Sequence, residues 1–183
     1  MSNPRVGVIG VGAMGQNHAR VVAELPGVEL AGVADASAET ARSVADRFGV
    51  AAYSDYDSLL DAGVDAVVIA VPTALHHDTA AAVIDRGVGV LLEKPLAATA
   101  AEGEQLLERV QKAGVPFMVG HIERFNPVVN AAKAAMEDGR DIVSVTITRV
   151  GPLPPRIKDV GVVTDLGVHD IDLIAHFTGS EFE

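Results

Sequence analysis

The chain has 183 residues, 49% of them hydrophobic, with 14 Lys and Arg against 25 Asp and Glu and no cysteine. That length and apolar content suit one domain, or a domain and part of another, and argue against a disordered chain. The net charge of −11 argues against nucleic acid or an anionic membrane as partner, and the lack of cysteine excludes disulfides, thiolate metal sites and cysteine nucleophiles.

Val6 to Ile9 reads as a buried parallel strand, entered so soon that no room is left for a signal peptide. The run breaks at Gly10 and passes into a helical segment from Ala13 to Leu25. Gly10, Gly12 and Gly15, with Ala13 and Met14 between them, give the spacing G-x-G-x-x-G. The first glycine permits a tight turn, the second lets a pyrophosphate approach the backbone, and the third lets helix and strand pack closely. The helix N-terminus then offers N–H groups and a positive dipole end to phosphate. Glycine-rich turns are common, so the context decides. A second apolar run, Val28 to Ala34, ends in Asp35, twenty residues beyond Gly15. A dinucleotide-binding unit places an acid there to accept from the ribose hydroxyls. Ala36 and Ser37 bring no Arg or Lys to hold a 2′-phosphate, so NAD is expected rather than NADP. Asp35 also stands where it can cap a helix from Ser37 to Phe48, and both roles can coexist.

Ala51 to Tyr53 follows as a short strand and Tyr56 to Asp61 as a turn of helix. Asp65 to Ala70 is a buried strand stopped by Pro72. Ala74 to Arg86 is an alanine-rich helix, and Val88 to Leu92 another strand. Thr99 to Ala113 is a helix with Leu106, Leu107 and Val110 on one face and Glu102, Glu104 and Glu108 largely outside it. Val115 to Val119 is the sixth strand. Alternating strands and helices with short Gly/Pro loops predict an α/β doubly wound dinucleotide domain over residues 1–120. From residue 121 the pattern changes: a helix from Asn126 to Met136, then Ile142 to Val150 with polar and apolar residues alternating over its centre, then the Pro-rich loop 151–155. The alternation predicts a strand with one solvated face, whose open edge invites pairing with another chain. A last helix is expected from Asp165 to Thr178. Residues 121–183 thus read as the incomplete start of an α+β substrate domain. No apolar run reaches the length of a membrane span, so the expected location is the cytoplasm.

Three clusters carry candidate chemistry. Glu93-Lys94-Pro95 follows the fifth strand, whose carboxyl end faces the ligand crevice of a doubly wound sheet. Lys94 there could steady a developing oxyanion, or it is a surface lysine in a loop. Asp165 and His169 stand at i and i+4, and His169 and Asp172 at i and i+3. An imidazole flanked by carboxylates suits a general base; the plain alternative is a polar helix start. With no further histidine at a convincing spacing, no metal is expected. The third cluster is 120–127, including His121, Glu123, Arg124 and Asn126, at the junction where substrate would lie. Val71, Pro72, Thr73 and His76, after the fourth strand, are candidates to line the cofactor, with His76 and His77 otherwise exposed helix residues.

Taken together, these motifs resemble the glucose–fructose oxidoreductase / inositol dehydrogenase (Gfo/Idh/MocA) family. The Lys-Pro after the fifth strand combined with Asp165-x-x-x-His169 is the specific part. The resemblance implies that Lys94 polarises a substrate oxygen, His169 takes its proton, and Asp165 positions the hydroxyl or the base. The segments 120–127, 149–152 and 154–156 look most like members that oxidise the 3-hydroxyl of UDP-N-acetylglucosamine. On that footing Arg124, Asn126, Arg149, Arg156 and Asp172 are substrate candidates, with Lys158 beside them, and the basic ones would suit a diphosphate. The resemblance also implies a small-molecule substrate and a homo-oligomer formed through the second-domain strand. Family members carry a full second domain, most of whose sheet is missing before Glu183. An inositol or simple-sugar dehydrogenase and a catalytically silent NAD-binding subunit are the rival readings.

Overall fold

In the computed structural model, which describes residues 2–136, 142–150, 161–180 and 182, the chain divides into two units, 1–119 and 120–183. The first holds six parallel strands: β1 (Arg5–Ile9), β2 (Glu29–Ala34), β3 (Ala51–Tyr53), β4 (Ala66–Ile69), β5 (Gly89–Leu92) and β6 (Phe117–Val119). Their order is β3-β2-β1-β4-β5-β6, so the chain reverses direction across the sheet between β1 and β4. Ile9 pairs with both Ala34 and Ile69, and Ile69 pairs with Leu92. The strands therefore end level, and Gly10, Asp35, Ala70 and Glu93 all emerge at one edge of the sheet.

Helices cover both faces. Val8, Val33 and Val68 face one side, where Ala19 and Val22 of α1 (Ala13–Glu24) and Val44 of α2 (Ala38–Phe48) close a core. Ile9, Val67, Ile69 and Leu92 face the other, against α3 (Tyr56–Asp61), α4 (His76–Asp85) and α5 (Ala100–Ala113). A strand buried on both faces has no polar side to show, which is why these runs read as continuously apolar. Leu106 is fully buried whereas Leu107, expected on the same face, is 55% exposed. One residue along a helix turns a side chain by about 100°, so only Leu106 and the half-buried Val110 share the core-facing stripe. Thr99 and Glu102 form a reciprocal capping box at the start of α5, which accounts for Glu102 being a cap rather than a plain solvent-facing charge.

The second unit contains α6 (Pro127–Ala135) and α7 (Val168–Thr178) among its described residues. One expectation fails here, and another holds with a change of helix type. Residues 142–150 carry no sheet pairing, and Val143 and Val150 are 98% and 92% exposed. Alternation supplies a strand with a face to bury but not with backbone partners, and no described residue pairs with this stretch. The last helix is present over the expected span, but its start is not α-helical: Val163–Gly167 is a π turn, and the α-helix runs from Val168 to Thr178. The loop 151–155, with Arg156 and Lys158, lies outside the described residues.

Candidate functional site

The glycine turn is built by close approach. Gly10 has φ +81°, and a Cβ on it would stand 2.8 Å from the Ala70 carbonyl. A Cβ on Gly15 would stand 1.8 Å from the Gly10 carbonyl oxygen, so the third position admits no side chain at all. Gly12 is different: its φ is −67° and nothing lies within 4 Å of an added Cβ. Neither φ nor packing calls for glycine there, whereas a ligand backbone laid over the turn does. Gly12 is the N-cap of α1, with no side-chain cap and no acidic residue in the first turn. By contrast α2, α3, α5 and α6 are capped by Ser37, Asp55, Thr99 and Asn126. The first-turn N–H groups of α1, from exposed Ala13 and Met14 onward, are thus left for an anion.

Asp35 sits beside this turn. Its Oδ2 accepts the Val11 backbone N–H at 2.9 Å and its Oδ1 accepts that of Ser37 at 2.9 Å. Ser37, not Asp35, caps α2, through the Thr40 N–H. A carboxylate has about four acceptor positions. Two are spent holding the side chain still, and two remain for a pair of hydroxyls. An open turn, an uncapped helix start and a fixed, half-used carboxylate fit a dinucleotide.

At the ends of β4 and β5 the structure joins residues that sequence reasoning kept apart. His76 is 1% exposed, with Nδ1 2.7 Å from the Pro95 carbonyl and Nε2 3.0 Å from the Val71 carbonyl. It is neither an exposed helix residue nor placed to line a cofactor with its ring. The buried imidazole ties the loop after β4 to the loop after β5. A carbonyl only accepts, so a neutral ring donates to one of the two and a protonated ring to both. Val71 and Thr73 are half-buried and Pro72 exposed. The Lys94–Pro95 peptide is cis.

Glu93 is the second joint. Its Oε1 lies 2.7 Å from Nε2 of His18, on the second turn of α1, and its Oε2 accepts the Lys94 backbone N–H at 3.1 Å. Burial alone would raise the Glu93 carboxyl. The hydrogen bond and charge of His18, then the Lys94 N–H and ammonium, outweigh it and hold the group below its ordinary range. His18 was missed from sequence; the available signal is a lone histidine three residues after the last glycine of the turn.

In the second unit, Asp172 is 9% exposed and accepts from Arg124 twice through Nε, at 2.9 and 3.0 Å, and once through Nη2, at 2.5 Å. Nδ1 of His121 stands 3.5 Å from the same carboxylate. These bonds raise the Arg124 guanidinium against the opposing effect of burial. Arg149 is likewise held by Asp170 at 2.6 Å. Two of the cations expected to meet a diphosphate are thus already neutralised by carboxylates of α7, and Asp172 serves Arg124. Asn126 is occupied locally too: it caps α6 through the Val128 N–H and donates to Glu123. Asp165 is buried inside the π turn and His169 is half-buried in the first turn of α7. Departures of this kind in a helix recur at functional sites.

A parallel sheet of this order, with a glycine turn and a fixed acid at its carboxyl edge, defines a dinucleotide-binding domain of the doubly wound class. Residues 4–121 match the family described as "Oxidoreductase family, NAD-binding Rossmann fold", and the chain belongs to this Gfo/Idh/MocA family. It is 36% identical over 181 residues to UDP-N-acetylglucosamine 3-dehydrogenase of Acidithiobacillus ferrooxidans, covering 99% of this chain and 56% of that one. It is 34% identical to scyllo-inositol 2-dehydrogenase (NAD(+)) of Bacillus subtilis, covering 97% and 54%. GenD2 from gentamicin A biosynthesis, solved in complex with NAD, superposes with a TM-score of 0.85 at 32% identity, covering 98% and 54%. The chain therefore spans little more than half the length of these relatives.

Proposed function

We propose that the chain carries the cofactor-binding and proton-transfer residues of an NAD-dependent dehydrogenase acting on a sugar or cyclitol hydroxyl. The observation that carries this reading is the cradle of Gly12, the uncapped α1 and the half-used Asp35 carboxylate. NAD, when bound, accepts the hydride that the alcohol carbon gives up, chemistry no side chain supplies. The chain's own groups handle the oxygen and its proton. The Lys94 ammonium donates to the substrate oxygen and steadies the negative charge that grows as the proton leaves. His169 in its neutral form takes that proton, and Asp165 positions the base or the hydroxyl. The pairing of Lys94 with His169 in one reaction rests on the family pattern.

For the substrate, we propose the 3-hydroxyl of UDP-N-acetylglucosamine, supported by the Acidithiobacillus relative and by the 120–127 segment. A second reading, inositol or a simple sugar, is favoured by the commitment of Arg124 and Arg149 to Asp172 and Asp170, which removes cations from a diphosphate site. Nicotinamide fluorescence on titration with NADH and with NADPH tests the cofactor, and NADH production from UDP-N-acetylglucosamine and from inositols tests the rest. Preferred NADH binding and turnover of the nucleotide sugar are expected, with Lys94→Ala and His169→Ala abolishing turnover at near-wild-type NAD affinity. Turnover of a polyol alone establishes the second reading. Binding with no turnover on any substrate leaves a silent NAD-binding module and overturns the enzyme reading.

A further inference from the structure

We infer that His18 is a positioning residue for Lys94, acting through Glu93, so that presentation of the lysine depends on the helix that starts at the dinucleotide turn. The inference rests on the reading of Lys94 as the group at the substrate oxygen. The chain of contacts is short. His18 Nε2 meets Glu93 Oε1 at 2.7 Å, and the other oxygen of the same carboxylate takes the Lys94 N–H at 3.1 Å. An ionised carboxylate only accepts, so Nε2 carries the hydrogen of the first bond. The two side chains are 20% and 12% exposed, dry enough for both bonds to hold geometry.

The placement follows from the fold. α1 packs over β1 and reaches β4, and β5 lies beyond β4, so the second turn of α1 is the part of that helix that reaches the end of β5. A Glu93 side chain left to itself at a strand end has several rotamers. Fastened to His18, it has one oxygen free to turn back on the next residue's N–H, and this sets the direction in which the chain leaves β5 at Lys94. A merely structural histidine would pin α1 to the sheet and leave the Lys94 amide indifferent.

The Lys94 amide is therefore the readout, observed on the chain itself by proton–nitrogen correlation NMR with nitrogen-15 lysine; four lysines give four signals, and the one lost in Lys94→Arg is Lys94. In the wild type the amide proton is expected downfield, as carboxylate-bound amides are. His18→Ala and His18→Asn, the second too short to reach, are expected to move it upfield, because a Glu93 side chain released from His18 no longer holds its other oxygen on the Lys94 N–H. His18→Gln, which restores a donor at similar reach, is expected to recover the downfield position. Glu93→Gln should move the signal whatever stands at position 18. Alanine is the best helix former, so the first variant keeps α1, and either short variant suffices. A Lys94 amide unchanged in both short variants overturns the inference. None of this needs turnover, so absence of dehydrogenase activity would sink the functional reading while the coupling stood. Where turnover is measured, the short variants should lose about ten- to a hundredfold in kcat, the cost of a misplaced group, with the NAD KM unchanged. Equal loss in both parameters overturns the positioning role.

Discussion

Alanine at Gly15 and alanine at Gly12 should fail in opposite ways. At Gly15 the new Cβ would stand 1.8 Å from the Gly10 carbonyl oxygen. The obstacle is backbone, so no rotamer can give way, and α1 has to lift from β1. Overpacking costs about 1–3 kcal/mol and this geometry belongs at about 3. For a chain of this size that lowers Tm by about 6–12 °C. At Gly12 the Cβ meets nothing within 4 Å, and φ is already −67°. Losing glycine's freedom in the unfolded state stabilises by about 0.4–1 kcal/mol, which offsets alanine's poorer N-cap, so Tm should stay within a few degrees of wild type. The methyl group instead fills the space above the turn, and NADH should bind at least about tenfold more weakly, equal to about 1.4 kcal/mol. Circular dichroism melts and nicotinamide fluorescence titrations on the two variants provide the measurement. Wild-type NADH affinity in Gly12→Ala would refute the argument that the dinucleotide crosses this turn. A wild-type melt for Gly15→Ala would refute the close packing of helix on strand.

Arg124→Ala leaves the buried Asp172 carboxylate without its main partner. Because Arg124 is 43% exposed, the expected loss is about 2 kcal/mol, below the 3–5 of a fully buried pair. Adding Asp172→Asn should recover part of it, which a double-mutant cycle in urea would read. His176 gives a pH signature. Burial, then the charges of Lys133 and Arg124, lower its pKa against the opposing pull of Asp172. The neutral ring is thus the folded form, so stability is full above about pH 6.5 and falls as pH drops through the lowered value. His176→Gln should flatten that fall in hydrogen exchange of α7; an unchanged slope would assign it to other groups.

The sheet was legible because each strand is buried on both faces and each helix ends in a recognisable signal. Gly49, Gly87 and Gly114 stand at or just beyond helix ends with positive φ, so the boundaries deviate by only a residue or two. Asp35 was legible because its spacing from the glycines is fixed by one βαβ unit. What could not be read depends on distant partners. Arg124 and Asp172 are 48 positions apart, and His18 and Glu93 are 75 apart. Periodicity reports which face a residue takes, not whom it meets there. His76 shows the same gap: an alanine-rich helix beginning His-His gives no hint that the first ring is buried between two carbonyls. The Ile142–Val150 run failed for the complementary reason, since strand pattern is local and strand pairing is not.

The sheet order has a consequence for change over time. With β1 and β4 side by side at the reversal, β1–β3 end at the Gly10 turn and Asp35, which we propose for the adenosine end of the dinucleotide, while β4–β6 end at the loop that carries Lys94. On that proposal, substitutions at residues 35–37 would retune cofactor preference without disturbing the loop at 93–95, and the reverse would also hold. Two halves with separate duties can be altered one at a time. The His18–Glu93 bond is a side-chain contact that crosses this division, and it is where a change in one half would be felt in the other.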